Sequence, residues 1–175
     1  MSPLPQDRPY RQLHLGPSDV IVDRRSDGSI LVRSPHPLGT YPERMTERFD
    51  HWARHASYRT FLAQREPRLG WRNVTYAEAQ FFARRIGQAI LNRDLSVERP
   101  VVILSENEIE NALLAIGCMY AGVPYAPVST TYSLHSGDFA ELRYIFELLS
   151  PGLVYVSDGQ KYEKAIHAAL PDGTE

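Results

Sequence analysis

Three short apolar runs alternate with two helical patterns between Val101 and Val156, and this alternation narrows the fold more than any other feature of the 175-residue chain. Val101-Val102-Ile103-Leu104 follows Pro100, and Tyr125-Ala126-Pro127-Val128 and Leu153-Val154-Tyr155-Val156 come after it. Each run is too brief for a helix and apolar at consecutive positions, the signature of a strand buried on both faces. Pro127 has no amide to donate, so its strand belongs at an edge or ends early. Strand, helix, strand, helix, strand requires right-handed crossovers. It predicts an α/β fold with a parallel βαβαβ sheet flanked by helices. The helix expected over 107–121 is apolar nearly all round and should be an inner one.

The upstream residues add a hairpin and four capped helices. Val20-Ile21-Val22 and Ile30-Leu31-Val32 flank Arg24-Arg25-Ser26-Asp27-Gly28-Ser29. An Asp-Gly between β-branched runs predicts an N-terminal β-hairpin, because Gly28 accepts a positive φ at low cost. Helix starts are expected at Thr40–Glu43, Thr75–Glu78, Ser105–Glu108 and Asp138–Glu141. Each places a short polar residue three positions before a glutamate. The segments 58–62 and 71–74 are expected to pair with each other near the sheet. Pro3, Pro5, Pro9 and Pro17 mark residues 1–18 as a mobile lead-in, leaving 19–175 as the α/β domain.

Charge and composition remove several function classes. Nineteen Lys and Arg against 21 Asp and Glu give a net charge of −2. That balance provides no electrostatic footprint for nucleic acid or an anionic membrane. Cys118 is the single cysteine, so no internal disulfide forms. The start has no apolar signal core, and glycines and prolines interrupt the apolar stretch 112–128, so a cytoplasmic protein is expected. His51 and His55 have the spacing of a two-histidine zinc site. Trp52, however, stands where a zinc protease has its glutamate, and no metal site is expected. Ser129-Thr130-Thr131 lacks the glycines and lysine of a phosphate loop. Cys118 has no cationic neighbour and reads as a packed, inert thiol. Ser105-Glu106-Asn107-Glu108 sets acidic side chains where a dinucleotide fold needs glycines, which disfavours NAD.

Three stretches carry a family resemblance. Val74-Thr75-Tyr76-Ala77-Glu78 resembles the first core motif of the adenylate-forming enzymes, and 115–128, with Ala121-Gly122-Val123-Pro124, is similar to their second. In that second motif Gly122 can end a helix in the left-handed conformation and Pro124 cannot continue it. The third stretch, 127–133 with 138–154, resembles the feruloyl-CoA synthetase branch of acyl-CoA ligases, as do Ser34–Gly39, Tyr41-Pro42 and His51-Trp52-Ala53. The resemblance implies the N-terminal part of an ATP-dependent acid–CoA ligase acting on an aryl or hydroxycinnamate acid such as ferulate. In such an enzyme a carboxylate attacks the α-phosphate of ATP, giving acyl-adenylate and pyrophosphate, and CoA thiol then displaces AMP. Mg²⁺ and positive groups offset the charge on the transferred group.

The resemblance also implies roles for particular residues. The family's phosphate loop, ribose-binding Asp and mobile C-terminal Lys have no counterpart here, so the chain alone is expected to bind no cofactor and to have no catalytic residue. ATP, Mg²⁺, CoA and a small carboxylic acid are expected partners of the full-length enzyme. Lys161 and Lys164, after the third strand, match basic positions that approach the CoA nucleotide. Thr131 and His135, in the loop 129–137, match a substrate-approach loop. Thr75, Tyr76, Glu78, Gly122 and Pro124 are expected to be architectural. Apolar faces meant for absent parts predict that the piece self-associates. The rival reading is a stand-alone α/β binding or interaction module that makes no bonds.

Overall fold

A computed structural model describes residues 15–67 and 70–175, and residues 1–14 of the expected lead-in lie outside them. The chain divides after Tyr41 into two compact units. In the first, β1 (Ile21–Arg24) pairs antiparallel with β2 (Ile30–Arg33), from Ile21 opposite Arg33 to Arg24 opposite Ile30. Gly28 has φ 85°, and the Asp27 carboxylate accepts bonds from the Ser29 amide and hydroxyl. The predicted turn is therefore present. Both faces of this hairpin are exposed within its own unit.

The second unit, Pro42–Glu175, holds the parallel sheet. Its upstream elements are α1 (Met45–His55), β3 (Thr60–Glu66), β4 (Gly70–Thr75) and α2 (Tyr76–Leu91). β5 (Val101–Leu104), α3 (Ile109–Ala121), β6 (Tyr125–Pro127), α4 (Thr130–Leu134), α5 (Ala140–Leu149), β7 (Leu153–Val156) and α6 (Gly159–Ala169) follow. β3 and β4 form their own antiparallel pair, with Leu62 opposite Val74. The main sheet has the order β6-β5-β7, all parallel, with Val101 beside both Tyr125 and Leu153. β6, which carries Pro127, is an edge strand, as its missing donor requires.

Central β5 is inaccessible along its whole length. Val102 and Leu104 meet Leu142, Phe146 and Tyr162 on the α5–α6 side. Val101 and Ile103 meet Ile90, Cys118 and Val123 on the α2–α3 side. Burying an aliphatic side chain of this size contributes about 1.5–3 kcal/mol, so the strand is the anchor of two core layers. Cys118 lies in the second layer at 0% exposure, and burial pushes its thiol up to about 11. A thiol raised this far stays protonated at neutral pH, and it packs in the core as the sequence predicts.

The caps divide into one success and three corrections. Thr75 forms a full capping box: its hydroxyl accepts from the Glu78 amide, and Glu78 accepts from the Thr75 amide at 2.9 Å. Thr75→Ala is expected to lower stability by about 1 kcal/mol, read as a shifted urea midpoint. Thr40–Glu43 caps nothing; α1 starts at Met45 behind Arg44, which makes no side-chain cap bond. Ser105–Glu108 fails as well, because the Ser105 hydroxyl donates to the Glu106 carbonyl. The first amide of α3, from Ile109, is taken instead by the Gln64 side chain at 2.9 Å. α5 begins two residues later than Asp138, behind Phe139 at φ 55°, and Asp138 accepts the Ala140 amide. Downstream, Gly122 ends α3 at φ 72° as predicted. Residues 130–134, expected as loop, form the short helix α4 capped by Ser129, and α6 lies beyond the four helices the caps predict.

Candidate functional site

The strand order fixes where a ligand crevice lies. From β5 the chain passes through α3 to β6 on one side, then returns through α4 and α5 to β7 on the other. Such a reversal opens a crevice beyond the carboxyl ends of the strands, here between β5 and β7. Its walls are the turn Ser105–Glu108 after β5 and Ser157–Lys161 after β7. Asp158 caps α6 by accepting from the Gln160 and Lys161 amides at 2.9 and 3.1 Å. Lys161 Nζ crosses the crevice to Glu106 Oε2 at 2.5 Å, and this bond, with the charge of Glu106, holds the ammonium pKa above its ordinary value.

Two buried hydroxyls lack partners: Ser133 Oγ in α4 and the Tyr162 hydroxyl in α6. Tyr162 is fully inaccessible. Burial raises its pKa, and the hydroxyl feels the charges of Lys161, Glu106 and Glu108. α4 and α6 are in contact, so the two hydroxyls belong to one region of the fold. Sequence reasoning missed Glu106, Asp158, Ser133 and Tyr162 as members of this region. The Asp158 cap and the spacing of Tyr162, Ala165 and Ala169 were the available signals.

The predicted residues fall into three places. Lys161 and Lys164 share α6: the first is held by Glu106 and the second is exposed one turn on. Thr131 lies exposed in α4, its amide bonded to Ser129 Oγ, and His135 caps the end of that helix, also exposed. Thr75, Tyr76 and Glu78 start α2 elsewhere, where the Tyr76 ring packs against Phe61 and Phe49 with centroids 4.7 and 6.1 Å apart. Gly122 and Pro124 form the α3–β6 turn. His51 and His55 stack at 4.2 Å on α1, and His55 Nδ1 donates to the His51 carbonyl. Among the described residues no three His, Cys, Asp or Glu converge on a point that could hold a metal.

The crevice does not fit a triphosphate by itself. The α6 amides already have a carboxylate, and Glu106 neutralises the one lysine that reaches across. An anion there would displace Glu106 from Lys161 and face Asp158 as well. Nor do the described residues supply a carboxylate set for Mg²⁺. What the arrangement offers is one wall of a site: a lysine on an ion-pair tether and a second exposed lysine.

The three-stranded parallel unit is an open α/β fold that reverses its strand order beside β5, and its structural neighbours are adenylate-forming enzymes. Residues 49–174 match the family described as AMP-binding enzyme, and the chain belongs to that family. It is 28% identical over 85 residues to luciferin 4-monooxygenase of Photinus pyralis, covering 49% of this chain and 14% of that protein. The fatty acid AMP ligase of Legionella pneumophila superposes on 65% of this chain and 19% of its own, with TM-score 0.57 and 16% identity. ATP-bound MatB of Rhodopseudomonas palustris covers 72% of this chain and 24% of its own, with TM-score 0.50 and 26% identity. The chain thus spans between 14% and 24% of the length of these three proteins. Among its described residues, no helix is long and apolar enough to cross a membrane.

Proposed function

We propose that this chain is the N-terminal part of an acid–CoA ligase that adenylates an aryl or hydroxycinnamate acid and then transfers the acyl group to CoA. The observation that carries the reading is the family match over residues 49–174, with both of its architectural signatures built as the resemblance requires. Thr75 and Glu78 close the capping box, and Gly122 turns α3 into β6 at φ 72°. In this reading Lys161 and Lys164 approach the CoA nucleotide, while Thr131 and His135 border the path of the acyl group. Lys164 is exposed for such a contact, whereas Lys161 must first leave Glu106. ATP and Mg²⁺ would be held by parts of the enzyme outside this chain, because its own crevice is acidic and capped.

The test is pyrophosphate release by the longer protein, assayed with ferulate, benzoate and aliphatic acids and then with CoA. Release with an aromatic acid, followed by CoA-dependent thioester and AMP, is the expected result. The 175-residue chain alone should release none. If no acid supports release by the longer protein, the ligase reading falls and a non-catalytic binding module stands in its place.

A further inference from the structure

One face of α3, with Leu114 and Cys118, packs towards β5, and the other, with Leu113, Ile116 and Tyr120, packs towards Phe49 of α1. Between α1 and this second face lies a cavity of about 280 Å³. Phe49, Phe61 and Tyr76 form its inner wall, with ring centroids 5.0 Å apart for Phe49 and Phe61 and 4.7 Å apart for Phe61 and Tyr76. Trp52 of α1 and Met119 of α3 line it as well and remain exposed, as does Met45 at the start of α1. Large apolar side chains gathered in one exposed concavity are the mark of a binding surface.

A single charge faces these rings. Arg48 lines the cavity, and among the described residues no carboxylate pairs with it. The acids of α1 are taken: Glu47 by Arg44, and Asp50 by Tyr120, Gln80 and Arg84. An unmatched guanidinium beside an apolar wall is complemented by a carboxylate, which its planar fork holds through two parallel bonds. The volume sets the size of what accompanies that carboxylate. It lies just below the range of drug-sized sites, about 300–1,000 Å³, so it takes one ring and a short tail. A docked helix would instead need anchors spread over two turns. Flat aromatic walls favour a ring over an alkyl chain through offset and edge contacts, and the flexible methionines adjust to its outline.

We propose that the groove between α1 and α3 is a binding site for a small aryl monocarboxylate, its ring between Trp52 and the Phe49–Phe61 pair and its carboxylate on Arg48. One cation and no second one selects a monoanion. The site binds and does not react, and it stands on this chain's own residues whether or not the longer protein is a ligase.

The test is methionine-methyl NMR on the 175-residue chain. Met45 and Met119 both line the groove, so a ring bound there shifts two of the chain's three methionine methyls. Phenylacetate is expected to shift both saturably at millimolar concentration. Phenylacetamide, which has the same ring and no charge, should bind about tenfold more weakly through loss of the charge-assisted bonds. Arg48→Gln should weaken phenylacetate by about the same factor and leave the amide unchanged. Arg48 is exposed, so the variant should fold; if it does not, acid against amide on the unaltered chain decides alone. Equal binding of acid and amide overturns the proposal, as do shifts that never saturate or hexanoate binding more tightly than phenylacetate. Methyl shifts that follow protein concentration with no acid present mark a second copy on the groove and overturn it too. No ATP enters the measurement, so its outcome is separate from pyrophosphate release by the longer protein.

Discussion

Gly117→Val is expected to destabilise the chain by about 3 kcal/mol, the upper part of the range for overpacking a filled interior. Along α2, Ala79, Ala83, Gly87 and Ile90 form the buried stripe, and three of these four are small. α3 answers with Gly117 and Cys118. The helices therefore approach until backbone meets side chain. A Cβ on Gly117 would lie 2.5 Å from Ile86 Cγ2, 2.9 Å from Ile86 Cβ and 3.2 Å from the Ala83 carbonyl oxygen. The carbonyl is backbone and cannot rotate aside, so the helices must separate. One on Gly87 would meet the Gly117 carbonyl at 3.1 Å. Gly117→Ala should cost less than valine, because relief from glycine's poor helix propensity returns up to about 1 kcal/mol. Urea midpoints provide the measurement, and combining Gly117→Ala with Ile86→Ala should recover part of the loss through their coupling. A midpoint unmoved by Gly117→Val would mean that α2 and α3 do not pack this closely.

The parts of this fold that were legible in the sequence are those decided by neighbours along the chain. Val101–Leu104 is a strand because four consecutive apolar β-branched and aliphatic residues can be buried only from both faces, and all four are. Thr75–Glu78 closes a capping box because both partners lie within one turn. Gly28 and Gly122 occupy left-handed positions that side-chain-bearing residues rarely adopt. Some failures occur where a distant residue takes over a local task, and others where a short local cap went unread. Ser105 does not cap α3 because Gln64, forty-five positions earlier, takes the Ile109 amide. Residues 130–134 turn helical once Ser129 accepts the Thr131 amide. The crevice was not legible from the residue pattern. Lys161 was singled out through the family resemblance alone, and Glu106, fifty-five positions away, becomes its partner only when β5 and β7 align. No periodicity encodes that meeting.

The tie among α1, α2 and α3 belongs to the same illegible class and carries the strongest expected pH effect. Asp50 of α1 accepts from the Tyr120 hydroxyl of α3 and from Gln80 Nε2 of α2 at 2.6 Å, with Arg84 Nη2 at 3.4 Å. Burial alone would push the carboxyl pKa up. The bonds from Tyr120 and Gln80, with the charge of Arg84, outweigh it and hold the pKa below the ordinary aspartate value. On the other side of the same bond, burial and then Asp50 push the Tyr120 hydroxyl up to about 12. A depressed folded-state pKa stabilises fully above the unfolded value, about 3.9, and that contribution is lost as pH falls through the folded value. A raised tyrosine works in the opposite sense. Its contribution is complete below the unfolded value, about 10, and is lost as pH rises through about 12. The tie is therefore at full strength between about pH 4 and pH 10. Asp50→Ala should cost about 2–3 kcal/mol across that window, because the Tyr120 and Gln80 donors lose their acceptor in a half-buried seam. As pH falls through the lowered folded-state value the wild-type carboxyl takes up its proton, and the gap between the two proteins should narrow. Urea unfolding of both at pH 7 and pH 2.5 measures it. A gap equally wide at both values would show that shape rather than charge holds the three helices, and Tyr120→Phe would then be harmless at neutral pH.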